Sequence, residues 1–93
     1  TLTRTWDIFS DSNEAIGYPN PVQSIMNIEL LNRKNLIRNI SILDLNGQVV
    51  AKKYFLNTNF KETMDLSSLD AGIYIVKVTD KSGQEYVIKS VKN

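Results

Sequence analysis

The side chains that most often move protons or form covalent intermediates are missing from this chain, whose 93 residues include no histidine and no cysteine. Nucleophilic and general-base chemistry usually draws on an imidazole, a thiolate or a pair of carboxylates with separated pKa values. The carboxylates here are scattered among turn signals and solvent faces, so the chain reads as a non-enzyme. Asp44-Leu45-Asn46-Gly47 and Asp80-Lys81-Ser82-Gly83 share the Asp-x-x-Gly spacing of a GTPase switch. No Gly-rich loop with Lys and Ser or Thr accompanies them to cradle a phosphate, and they read as hairpin turns. Asp44-x-Asn46 is also a fragment of a calcium loop, but it lacks the further acidic ligands and the closing Glu. No metal or cofactor is therefore expected. Trp6, Tyr18, Tyr54, Phe55, Phe60, Tyr74 and Tyr86 could form an aromatic platform for sugar; at strand spacing such residues more often fill a core or its rim. Lys89 and Lys92 near the carboxyl end would ordinarily be solvated strand charges.

Size and composition restrict what can position these groups. A chain of 93 residues is expected to form one small domain with a lead-in. The absence of cysteine excludes a disulfide framework and any Cys-based zinc site. Eleven basic residues against ten acidic ones leave a formal charge of +1, which points neither to nucleic acid nor to a polybasic membrane anchor. No apolar run approaches the ~20 residues of a transmembrane helix. Thr1 begins no charged-then-apolar leader, and the chain lacks a starting Met, so it is expected to be a piece of a longer protein.

Along the chain the apolar residues alternate instead of recurring at helical spacing. Met26, Ile28 and Leu30 share one side of a strand, and Ile40 and Ile42 begin another. In the next, either Val50, Lys52 and Tyr54 or Val49, Ala51 and Phe55 form the buried set. Phe60, Met64 and Leu66 alternate with Lys61, Thr63 and Asp65, which puts Glu62 on the apolar side and so near an edge. Tyr74, Val76 and Val78 mark a further strand, and residues 85–92 the last. The two Asp-x-x-Gly turns place Asp where its carboxylate accepts backbone N–H bonds and Gly where φ is positive. Leu69-Asp70-Ala71-Gly72 is a third turn. Short strands at intervals near ten residues predict an all-β chain, an antiparallel sandwich of about seven short strands. Residues 11–17 are polar and aperiodic and read as a linker. Thr3 to Phe9 could be the tail of a preceding domain or an edge strand.

Four pieces of sequence, in order, resemble a known family: Tyr18-Pro19-Asn20-Pro21, then residues 40–47 with Asp44 and Gly47, then residues 66–78 with Gly72 and Tyr74, then the ending Lys89-Ser90-Val91-Lys92. Together they resemble the type A C-terminal sorting domain of the type IX secretion system, over about residues 18–93. The resemblance implies an immunoglobulin-like β-sandwich that directs cargo, after transit of the periplasm, across the outer membrane to the cell surface or the medium. It implies as partners a translocon or shuttle protein, a sortase-like peptidase and an upstream cargo domain; charge and hydropathy for their part predict no nucleic acid and no transmembrane segment, and a monomer is expected. Matched residue by residue, Gly72, Lys89, Val91 and Lys92 would carry the recognition signal. The peptidase would cut in the linker, with Ala15 and Gly17 as candidates. Residues 1–17 would then be linker and cargo tail, and 18–93 the sorting domain. The terminal strand is expected to present an exposed edge that pairs with, or lays its lysines against, an acidic surface of the shuttle or translocon, and Gly72 to need positive φ. The alternative is a fibronectin-like spacer or carbohydrate-binding module, which could sit anywhere in a protein; a sorting domain must end it.

Overall fold

Strict period-two alternation over most strands decides the architecture, because it gives each sheet one apolar face to bury. The computed structural model describes residues 15–32 and 35–93, and among these no residue is helical. Seven strands follow in order: β1 (Ala15–Tyr18), β2 (Ile25–Leu30), β3 (Ile37–Leu43), β4 (Val49–Asn59), β5 (Lys61–Asp65), β6 (Gly72–Asp80) and β7 (Glu85–Lys92). They form a three-stranded sheet ordered β1-β2-β5 and a four-stranded sheet ordered β4-β3-β6-β7, with every neighbouring pair antiparallel. This is the interleaved order of an immunoglobulin-like sandwich, as expected. Met26, Ile28 and Leu30 of β2 pack with Ile40 and Ile42 of β3 and Val76 and Val78 of β6, all without exposed surface. Each such buried side chain contributes about 1.5–3 kcal/mol relative to exposure.

The choice of face in β4 falls to Ala51 and Phe55, which pack against the core, while Tyr54 points outward at 65 % exposure. Glu62 lies half-buried in β5, an edge strand of its sheet, as the alternation required. Both hairpin turns form: Gly47 N–H donates to Asp44 O and Gly83 N–H to Asp80 O, each at 3.0 Å. Their φ values of 85° and 94° explain why glycine stands there. At the corner between β5 and β6 the Tyr74 hydroxyl donates to Asp70 O at 2.7 Å, a tyrosine corner that ties the start of β6 to the turn before it.

The expected linker is corrected at its end. Ala15–Tyr18 is a paired strand, with Ala15 opposite Leu30 and Gly17 opposite Ile28. Its small residues, which read as linker, answer to packing: Ala15 is buried, and a Cβ at Gly17 would run into the Met26 side chain. Residues 1–14, with Trp6 and the Thr3–Phe9 segment, lie outside the described residues.

Candidate functional site

The strand register brings the separated sequence motifs to one end of the sandwich. Leu43 at the end of β3 pairs with Ile75 near the start of β6, and Gly72 pairs with Lys92 at the end of β7. The Asp44–Gly47 turn, the corner holding Tyr74, Gly72 and the terminal residues therefore share a pole. Ala15, opposite Leu30, lies at the other.

At this pole the Tyr-Pro-Asn-Pro segment clasps the last strand. Val22 makes a parallel bridge to Lys92: its N–H donates to Val91 O at 2.7 Å, and its carbonyl accepts from Asn93 N at 2.9 Å. Asn20 Oδ1 accepts from Val91 N at 3.0 Å, occupying the amide that faces away from β6. The Val22 side chain has no exposed surface. Along this stretch the outer edge of β7 is already paired within the chain, which corrects the expectation that it is an open edge. The peptide bonds before Pro19 and Pro21 are cis. Tyr18 is anchored on the outer face of the other sheet, where its hydroxyl donates to Glu29 Oε1 at 3.2 Å and the Lys61 ammonium sits 5.7 Å from its ring centre. The Tyr18 hydroxyl raises the Lys61 pKa.

The two terminal lysines part company. Tyr86, Ile88, Ser90 and Lys92 face inward, and Glu85, Val87, Lys89 and Val91 outward. Lys92 is only 8 % exposed, and its Nζ donates to Asn93 O at 2.9 Å. The expected pair of lysines on one acidic surface is therefore corrected: only Lys89 and Val91 look outward. Gly72 meets the expectation of positive φ: at 158° its backbone is one that L side chains rarely adopt, so a substitution there is strained even though an added Cβ would meet nothing within 4 Å. It stands across from Lys92.

The other candidates resolve into structure. Asp44 Oδ1 accepts from Asn46 N and Gln48 N, the work of a turn residue. Among the described residues no three acidic side chains converge as metal ligands. Tyr74 and Tyr86 are buried, while Tyr18 and Tyr54 stand on the outer faces of different sheets, so these rings build no shared platform. Ala15 and Gly17, the candidate cleavage positions, lie in a paired strand, where an extended protease substrate cannot be peeled off without opening the sheet. At the opposite pole, a shallow depression lined by Asn35, Leu36, Asp80, Lys81 and Ser82 overlies Asp80, whose carboxylate is already engaged.

Asn20 and Val22 are the residues that sequence reasoning undervalued. Their partners lie at the far end of the chain, and no local signal announces them. Asn20→Ala is expected to remove the acceptor for the Val91 amide, speeding its hydrogen exchange about tenfold while Val76 in the sheet centre keeps its protection. Unchanged exchange at Val91, measured by NMR, would remove Asn20 from the clasp.

A family model described as "Secretion system C-terminal sorting domain" matches residues 17–93. Comparison with curated proteins found no match. Among solved structures the chain is similar to a DUF3244 family protein with an immunoglobulin-like β-sandwich fold from Bacteroides vulgatus ATCC 8482. The identity is 16 % and the TM-score 0.62, over 86 % of this chain and 95 % of that one. It is also similar to CopC from Methylosinus trichosporium OB3b, at 20 % identity and a TM-score of 0.49, over 84 % of this chain and 90 % of that one.

Proposed function

Because this chain belongs to the type IX secretion C-terminal sorting domain family, we propose that it is an address for export, read at the pole where the clasp holds the last strand. The family implies export through the outer membrane to the cell surface or the medium, and both the family and the fold are non-catalytic types. The observation that carries the reading is the family match over residues 17–93. The cargo lies upstream, passes through the periplasm, and is delivered by a translocon or shuttle protein that contacts Lys89 and Val91. A sortase-like peptidase then separates the cargo, cutting on the N-terminal side of Ala15 so that β1 stays with the domain.

A transplant tests this. Residues 1–93 are fused behind a fluorescent reporter that carries an inner-membrane export signal, in a type IX-competent bacterium. The same fusion without residues 89–93 is the comparison. Reporter outside the cell with the intact ending alone is expected, and its sequenced C-terminal peptide should end before Ala15. Reporter held in the periplasm in both cases, with the domain folded, would overturn the sorting reading.

A further inference from the structure

The nearly neutral total charge conceals an asymmetry between the two outer faces. On the three-stranded sheet the outward charged residues are Glu29, Lys61 and Asp65, two acids against one base. On the four-stranded sheet they are Lys52, Lys77 and Lys89 against Glu85, three bases against one acid. The register sets Lys52 and Lys77 on either side of Ser41, and Lys89 beside Ile75 one row nearer the clasped pole. Glu85 lies 3.6 Å from Lys77, and the Arg38 guanidinium bends toward this face to donate to Asn39 Oδ1 at 3.5 Å.

The same face is apolar where a solvated sheet would be polar. An antiparallel sheet with one wet side normally places polar residues at every outward position. Here Ile73, Ile75 and Val91 take those positions beside the lysines, and Ile73 is 39 % exposed. Apolar strips rimmed by like charges mark surfaces that are covered in use.

We propose that the outer face of the four-stranded sheet docks an acidic protein surface with an apolar centre. This rests on the sorting reading above and names the chemistry of its partner: carboxylates opposite Lys52, Lys77 and Lys89, and aliphatic or aromatic side chains over Ile73, Ile75 and Val91. The positive excess supplies the complementarity and speeds encounter. A purely anionic glycan would leave the apolar strip uncovered. The face extends the recognition signal from the terminal strand across the sheet, as far as Lys52, which lies outside the family motifs.

The test uses the reporter fusion of the whole chain with Lys52→Glu and Lys77→Glu together, and separately with Lys81→Glu in the exposed β6–β7 turn at the opposite pole. The double reversal is expected to lower the exported fraction about tenfold or more, whereas Lys81→Glu should change it less than about twofold. Melting of the purified variants checks that both remain folded. Normal export of a folded double variant would overturn the proposal, as would an equal loss from Lys81→Glu. Two binding results would also overturn it. One is charge-dependent binding of the wild-type chain to vesicles of anionic lipopolysaccharide, which would assign the face to lipid. The other is concentration-dependent dimerisation that the double reversal abolishes, which would assign it to a second copy. If the wild-type fusion itself is not exported, the sorting reading fails first and this inference with it.

Discussion

Asp80→Ala is expected to destabilise the domain by about 3 kcal/mol, because it strips a buried carboxylate from four donors at once. Asp80 is 2 % exposed. Its Oδ1 accepts from Ser82 N at 2.9 Å, Ser82 Oγ at 2.6 Å and Gln84 N at 3.0 Å, and its Oδ2 accepts from the Tyr86 hydroxyl at 2.8 Å. Tyr86 in turn accepts from Asn35 Nδ2 at 2.9 Å, so the network ties the β6–β7 turn to the loop before β3. Removing the carboxylate leaves the Tyr86 hydroxyl and two turn amides without that acceptor. For a domain of this size the loss lowers the melting temperature by roughly 15 °C, read by calorimetry or circular dichroism. Burial pushes the Asp80 pKa upward, but the hydrogen bonds from Ser82, Tyr86 and the Gln84 amide outweigh it and leave the pKa lowered. With the folded value below the unfolded value of about 3.9, the stabilisation is complete above that pH and fades as pH falls through the folded value. Asp80→Asn should flatten this acid limb. A change in melting temperature under about 4 °C for Asp80→Ala would refute the central place given to this network.

The second large effect is expected from Val22→Asp. The residue lies far from the terminal lysines in sequence, yet its substitution should abolish export as completely as removal of residues 89–93. A charge in place of a fully buried side chain costs several kcal/mol unless the segment leaves the protein interior. Leaving it breaks both backbone bonds of Val22, to Val91 and to Asn93. The terminal residues then lose their frame while their own sequence is untouched. The measurement is the exported fraction of the reporter, at a temperature where the variant keeps its far-ultraviolet β signal. A folded Val22→Asp variant that is exported normally would mean that the machinery reads the terminal residues as a flexible peptide, and that the clasp has no part in recognition.

Much of the framework was legible because alternation is a local property. Met26, Ile28 and Leu30, and later Tyr74, Val76 and Val78, announce both a strand and its inward face. The same rule carried past Tyr86 and Ile88 would have sent Ser90 and Lys92 inward, where both are found; the charge on Lys92 hid the pattern. Asp44 and Asp80 stand in near-identical turns, and sequence gives no reason to separate them. The difference is tertiary, since Tyr86 reaches back to Asp80, whereas the Asp44 turn closes on its own amides. β1 was lost for a related reason, its small residues being set by Met26 across the sheet. The clasp joins residues 71 apart and has no periodic signature, so Asn20 gave turn chemistry and no hint of its partner.

The bond from Asn93 N–H to the carbonyl of Val22 has a consequence in time as well as in space. Val22 and its partners Val91 and Asn93 stand far apart in sequence, and such distant closures form after local ones such as the β3–β4 and β6–β7 hairpins. The clasped pole is thus expected to be the last part of the sandwich to close as the chain folds, whatever the order of the rest.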